Sequence, residues 1–242
     1  MKLLTGAAIA SLAMATIATP SLAVAEDAWE YRITPYVWAP TLQLDTSIGG
    51  APSTSSDTAL LDILDFAFLS TGEVRKGDWG LIVEFNYLDL SNDFTFAGSA
   101  VKGKSDLKGV MGGAALAYRF LTQDGLAIDA FGGLRVWSLE TTADFRTLPT
   151  VSRKNTFVDP IVGLRASYDI SPDWFVSGLA EVGGFGAGSD LQWEVIGRVS
   201  YRFNETIATG VGYRHLVLKV DRGGLDIDAV MTGPFIALDF TW

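Results

Sequence analysis

Leu191–Phe203 reads LQWEVIGRVSYRF, and its alternation decides the fold. Leu191, Trp193, Val195, Gly197, Val199, Tyr201 and Phe203 take every second position. Gln192, Glu194, Arg198, Ser200 and Arg202 stand between them, with Ile196 the exception. A period of two is a β-strand with two chemically different faces. The stretch is longer than the usual strand of about 5–6 residues. It is long enough to cross a bilayer, which takes roughly 9–11 tilted residues.

The same pattern recurs along the chain and predicts ten strands: 29–39, 65–75, 79–90, 107–120, 126–140, 158–170, 174–185, 191–203, 206–220 and 226–242. Gly49-Gly50-Ala51-Pro52 and the Ser/Thr cluster after it read as a long loop, with one or two helical turns over 57–64. The even-numbered connections are short, and three of the five odd-numbered ones are long. That asymmetry, with an even strand count, is the pattern of membrane barrels with short periplasmic turns and longer outer loops. Eight strands is the alternative count. Aromatic residues mark the short-turn ends: Trp29, Trp79, Phe120, Tyr168, Trp174, Phe203 and Trp242. Trp and Tyr favour the membrane–water boundary because one part of the ring system is apolar and another polar. Phe66, Tyr87, Trp193 and Tyr213 suit the opposite girdle.

The first 25 residues read as a secretory signal, with Lys2, an apolar stretch from Leu3, and Ala23-Val24-Ala25 before Glu26. Cleavage is expected between Ala25 and Glu26, leaving one domain over 26–242. The whole chain has a formal charge of −10, which argues against nucleic-acid binding. It contains no Cys, so disulfides and thiolate metal sites are excluded. No run of about 18 apolar residues follows the signal, so no membrane helix is expected. Alternating strands instead distribute the apolar residues.

The charges indicate which face is outside. Eight of eleven Arg lie inside predicted strands, opposite the apolar stripe: Arg32, Arg75, Arg119, Arg135, Arg165, Arg198, Arg202 and Arg214. Eight acids share their face: Glu30, Glu73, Glu84, Asp129, Asp169, Glu181, Glu194 and Asp239. Lys keeps to turns, loops and strand ends. Arg is favoured where enclosed charges must bridge carboxylates, because its planar fork bonds bidentately. The charged face therefore reads as a lumen and the apolar face as the lipid side. A bulge at Gly132-Gly133 or Gly183-Gly184 would shift the parity. A soluble lipocalin-like barrel, with apolar residues inside, is the competing arrangement.

Two features carry a family resemblance. Ile236, Leu238, Phe240 and Trp242 alternate to a terminal aromatic, which resembles the C-terminal assembly signal of Gram-negative outer-membrane β-barrels. The segments WEYRITPYVWAP, LDFAF, RKGDWG, VDPIVGLR, VGGFGAGSDLQW and GYRHL resemble a family of small, largely uncharacterised outer-membrane barrels. The resemblance implies a closed all-β transmembrane barrel in the outer membrane. Its implied partners are membrane lipids, lipopolysaccharide and the barrel-assembly machinery. It brings no catalytic residues.

Other motifs weigh less. His215 is the only histidine; a hydrolase would need a nucleophile or carboxylate beside it, with Ser189 and Asp190 as candidates. Gly183–Gly188 lacks the Lys-Ser/Thr ending of a phosphate loop and reads as a tight hairpin. Asn204-Glu205-Thr206 matches a glycosylation sequon in a predicted periplasmic turn and reads as a chance match. Asp221, Asp226 and Asp228 read as a solvated acidic loop before a cation site. Gly113, Ala115, Ala117, Gly163, Gly210 and Gly212 either leave a pore or make room for long Arg side chains.

The expected function is a structural or interaction barrel, with a narrow polar pore for small solutes as its permeation form. An outer-membrane hydrolase using His215 is the second reading. No cofactor, metal or catalytic residue is expected.

Overall fold

The computed structural model describes residues 28–242 except 49–53, 60–61, 63, 96–101, 146–149 and 223–224. The predicted signal and its Ala25/Glu26 cleavage point lie outside the described residues, as does Gly49-Gly50-Ala51-Pro52. The described strands are β1 (Trp29–Trp38), β2 (Thr41–Ile48), β3 (Thr54–Ala59), β4 (Leu64–Lys76), β5 (Trp79–Thr95) and β6 (Lys102–Gln123). They continue with β7 (Leu126–Phe145), β8 (Val151–Asp169), β9 (Trp174–Gly184), β10 (Leu191–Arg202), β11 (Ile207–Arg222) and β12 (Leu225–Thr241). Ten of them, β1 and β4 to β12, pair antiparallel in chain order, and β1 pairs with β12 to close the barrel.

The opening stretch is β10, held in unbroken register by β9 and β11. Closure satisfies the backbone groups of every wall strand without water, a condition that a hydrocarbon surround imposes. At the seam, Trp242 N donates to Tyr31 O (3.0 Å) and Tyr31 N donates to Trp242 O (2.9 Å). The two rings stack at 5.9 Å.

The short turns have local chemistry that fits them. Asp124 and Gly125 both have positive φ (48° and 81°), the two-residue geometry that matches strand twist. Asn204 Oδ1 accepts from Thr206 N (2.9 Å) and Ile207 N (2.8 Å), so the apparent sequon residue is a turn-former. The Gly-rich segment after β9 turns on Gly184, Phe185 and Gly186, all at positive φ. It is a hairpin, and no helix follows it.

One expectation needs correction. The long loop and helical turns read after the first strand are instead largely a hairpin. β2 prolongs β1 beyond Ala39-Pro40, pairs with β12, and receives β3 on its other edge. Its Thr and Ser residues resemble loop composition, but paired extended backbone suits β-branched Thr well. No bulge shifts the parity at Gly132-Gly133. Registers slip between Leu64 and Phe66 and between Arg119 and Leu121, whereas Gly132-Gly133 pairs evenly with β8. The second slip sets Phe120 outward at the short-turn rim without moving Arg119 off the lumen face.

The outer wall is apolar. Val37, Ile236, Val211, Val199 and Val176 lie side by side across five strands, from β1 through β12, β11 and β10 to β9. Trp29, Trp79, Phe120, Tyr168, Trp174, Phe203 and Trp242 are all exposed at one rim. Trp79 packs against Tyr118, and Trp174 against Tyr201. Phe66 and Tyr87 pair at 5.9 Å toward the other rim. An apolar exterior around charged groups is the inverse of a soluble ligand-binding barrel, so the lipocalin-like arrangement is overturned.

Candidate functional site: a layered lumen

Inward side chains form stacked layers, alternately charged and apolar. Nearest the short turns, β4 contributes Glu73 and Arg75, β6 Arg119, β7 Asp129 and β8 Arg165. Asp129 accepts from Arg75 Nη2 (2.6 Å), Arg119 Nε (2.9 Å) and Arg165 Nε (2.8 Å). Glu73 accepts from both terminal nitrogens of Arg165, a fork that crosses the lumen from β8 to β4. Arg75 Nε also donates to Glu73 (3.0 Å). On the other side, Arg198 donates to Asp239 (3.0 Å), which also accepts from Thr34 Oγ1 (2.8 Å). Arg202 pairs with Asp169 at the rim and lies 4.4 Å over the Phe175 ring. Arg32, exposed and directly across from Glu73 on the neighbouring strand, lines the same space and adds its charge to the field at that carboxylate.

Beyond this layer Ala115, Ala117, Phe131 and Ile161 form a small apolar shelf, with Ile82 and Leu179 packed against it. A second charged layer follows. Arg135 donates to Glu181 (2.5 Å) and Glu84 (2.8 Å) and lies 3.6 Å from Glu194. Arg214 donates to Glu194 (2.7 Å), to the Tyr36 hydroxyl (2.7 Å) and to Glu84 (3.4 Å). Its guanidinium also lies 4.7 Å over the Trp38 ring. Residues from β1, β5, β7, β9, β10 and β11 thus meet across the barrel in one network.

The small inward residues make room for these groups. A Cβ on Gly210 would meet Arg198 Cδ at 2.8 Å, one on Gly163 would meet Phe131 Cζ at 2.4 Å, and one on Gly212 would meet the Phe235 ring at 2.6 Å. They accommodate large side chains.

The last inner layer, toward the long loops, was not anticipated. Trp38, Leu69, Met111, Trp137, Leu216, Leu218 and Val220 are buried in one apolar cluster. Trp137 Nε1 donates to Gln192 Oε1 (3.0 Å) within it. Above Arg214 the sequence runs His215-Leu216-Val217-Leu218, apolar on both faces, so alternation gives no sign of a lumen side. Beside this layer Asp159, fully buried, accepts from Ser189 N and Ser189 Oγ at 2.7 Å each and pins the Gly-rich hairpin inward. Replacing Asp159 with Ala is expected to cost about 1–3 kcal/mol, because two buried donors lose their partner. It should also make 184–190 a site of limited proteolysis, read by mass spectrometry of the fragments.

His215 lies on the outer face. Its ring packs against Trp193 at 4.8 Å, and its Nδ1 is 2.6 Å from Thr232 Oγ1. Ser189 is committed to Asp159, and Asp190 accepts from Asp221 N. Neither is brought to His215, and the catalytic grouping does not assemble. In the acidic loop, Asp228 pairs with Lys219. The Asp226 side chain is outside the described residues. No metal-holding cluster occurs among the described residues.

A cavity of about 340 Å³ runs from Asn204–Thr206 in the short turn through the first charged layer to Arg135 and Arg214. None of the apolar plug residues except Phe235 and its flanking Tyr36, Ile196 and Ala237 reaches it. The cavity thus lies in the short-turn half of the lumen.

No protein-family model and no curated protein matches the sequence. Among solved structures, the outer membrane protease OmpT from Escherichia coli superposes with a TM-score of 0.61 at 10% identity, over 90% of this chain and 98% of that one. The transport unit of the autotransporter AIDA-I from Escherichia coli gives 0.44 at 10% identity, over 93% and 94%. Ail, the attachment invasion locus protein of Yersinia pestis, gives 0.42 at 13% identity, over 86% and 98%. The apolar belt, the aromatic rim, the closed ten-strand wall and the likeness to OmpT show that this chain has the fold of a Gram-negative outer-membrane β-barrel.

Proposed function

We propose that the protein is a non-conducting outer-membrane barrel with a structural or interaction role, its short turns in the periplasm and its long strands toward the cell exterior. Outer-membrane lipids and lipopolysaccharide are its partners around the apolar belt. The strand ending at Trp242 is its handle for the assembly machinery. The observation that supports this reading is the pair of packed layers inside the barrel. The Arg135–Glu84–Arg214–Glu194 network is backed by the apolar layer of Trp38, Trp137 and Leu216. An ion would have to break buried charge pairs and then enter an apolar layer with few polar groups to replace its water.

Planar-bilayer recording tests it. The purified barrel is expected to give no discrete conductance steps above the lipid background. Reproducible single-channel steps would restore the narrow-pore reading. No catalytic step is proposed, since His215 faces away from the lumen beside Trp193 and Thr232.

A further inference from the structure

The barrel wall has a slot between β1 and β4. These strands pair as far as Tyr36 opposite Leu69, and the next described rung between the two chain segments is Thr41 opposite Ala59, where β2 meets β3. In the interval each bank is held from its far side. Val37 and Trp38 pair with Ile236 and Phe235 of β12, while Phe66, Ala67 and Phe68 pair with Asp89, Leu88 and Tyr87 of β5. The β1 bank leans onto β12. Ala39 N donates to Pro234 O (3.0 Å), Trp38 Nε1 donates to Gly233 O (3.2 Å), and a Cβ on Gly233 would meet Pro40 Cα at 2.6 Å. On the β4 bank, the register slip between Leu64 and Phe66 bends the strand. A cavity of about 280 Å³ lies between the banks. It passes from Val37 and Phe66, exposed on the outer wall, to Trp38 and Leu69, buried in the inner apolar layer. Ala67, two residues from Leu69 on the same inward face, lines it with only a methyl group.

The lining is mostly apolar. Its charged group, Asp65, is exposed at the edge, and the Tyr36 hydroxyl is already taken by Asn86 (2.8 Å) and Arg214 (2.7 Å). A water held there would want about 2–4 polar partners, which Trp38, Leu64, Ala67 and Leu69 do not supply. The slot opens beside Val37, at the end of the apolar row, and beside the Phe66–Tyr87 ring pair, so it is continuous with the lipid-facing belt. An apolar space open to hydrocarbon fills with hydrocarbon, because its lining otherwise lacks contact atoms on one side. A gap between two strands suits an unbranched chain. We infer that the slot is a binding site for one acyl chain of a lipid of the surrounding bilayer, inserted between β1 and β4 against Trp38 and Leu69. This deepens the lipid partnership proposed above and rests on the lipid-facing reading of the belt.

Photolabelling tests it. The whole barrel is reconstituted in phosphatidylcholine vesicles doped with a phosphatidylcholine that carries a diazirine midway along one acyl chain, and adducts are mapped by peptide mass spectrometry. Lipid-facing Val199 and Val211 report the belt. Trp38 and Leu69 report the slot, and Trp137 and Leu216, buried in the same inner layer but absent from the slot lining, are the controls. Adducts are expected on Trp38 and Leu69 as well as on the belt, and not on the controls. Ala67→Leu fills the slot and should lower the Trp38 and Leu69 adducts about tenfold, the occupancy lost when about two methylene groups are displaced. Its belt adducts should not change. An unaltered urea midpoint in vesicles establishes that the variant is folded, and Ala67→Val, a smaller filling with an intermediate loss, serves if it is not. Labelled Val199 and Val211 with unlabelled Trp38 and Leu69 overturn the slot and leave the belt standing, whereas no adducts on Val199 and Val211 overturn the belt reading itself. Equal labelling of the controls overturns the inference, as do undiminished Trp38 adducts in the filled variants. So does labelling of Trp38 by a diazirine fatty acid added from water when the phospholipid gives none, which would make the occupant a soluble amphiphile.

Discussion

Replacing Arg214 with Met is expected to lower the stability of the barrel by about 3–5 kcal/mol, the usual cost of stripping one partner from a buried ion network. Arg214 is the only guanidinium in the second charged layer that reaches Tyr36, and it holds Glu194 through two nitrogens. Without it, Arg135 alone would face Glu84, Glu181 and Glu194. Two of those carboxylates would then lack compensation in an enclosed space. The aliphatic part of Met keeps much of the packing against Trp38, so the loss isolates the charge. Urea unfolding in lipid vesicles, followed by tryptophan fluorescence, reads the change. The double variant Arg214→Met with Glu194→Gln should recover a substantial part of it. If the single variant unfolds at the parent's midpoint, the network is not a structural element of the barrel.

Val211→Arg should be nearly as damaging for the opposite reason. Val211 is 60% exposed, yet it lies between Val199 and Ile236 in the middle of the apolar row. On a soluble protein such a residue accepts Arg with little effect, within about ±0.5 kcal/mol. At the midplane of a bilayer the same change costs about 2–4 kcal/mol. The same unfolding measurement decides between these surroundings. A companion change, Thr209→Arg, lies two register pairs closer to the Trp174–Tyr201 rim and should cost less. Equal, negligible costs at both positions would remove the lipid-facing assignment of the belt.

Much of this architecture is legible in the sequence because a barrel strand repeats every two residues and its two surroundings differ strongly. Trp193, Val195, Val199 and Tyr201 against Glu194, Arg198 and Arg202 already separates the faces. The aromatic rim follows from turn positions alone. The hairpin over 41–59 was hidden because Thr and Ser serve loops and strands equally, and only pairing with β12 distinguishes them. The apolar inner layer was hidden for a related reason. Leu216 and Leu218 face the lumen and Val217 the wall, so the run carries no alternation. The ion partners were beyond reach of pattern reading. Arg165 meets Glu73 and Arg214 meets Glu84 only because the barrel closes and places distant strands opposite one another. The parity of each charge is a local property, but its partner depends on circumference, tilt and register together.

The seam between β1 and β12 bears on how the protein reaches its final form. Thr34 and Asp239, 205 residues apart in sequence, are joined by a hydrogen bond beside it. The hairpins from β4 to β12 need only neighbours, whereas this junction needs nearly the whole described chain in place. Contacts of such separation form late and slowly, since the loop-closure cost precedes any reward. Until then both edge strands present unpaired backbone, a template for joining other chains. The stack of Tyr31 on Trp242 is therefore a latch fastened at the end of assembly, and the interval before it closes is when the chain most needs protection.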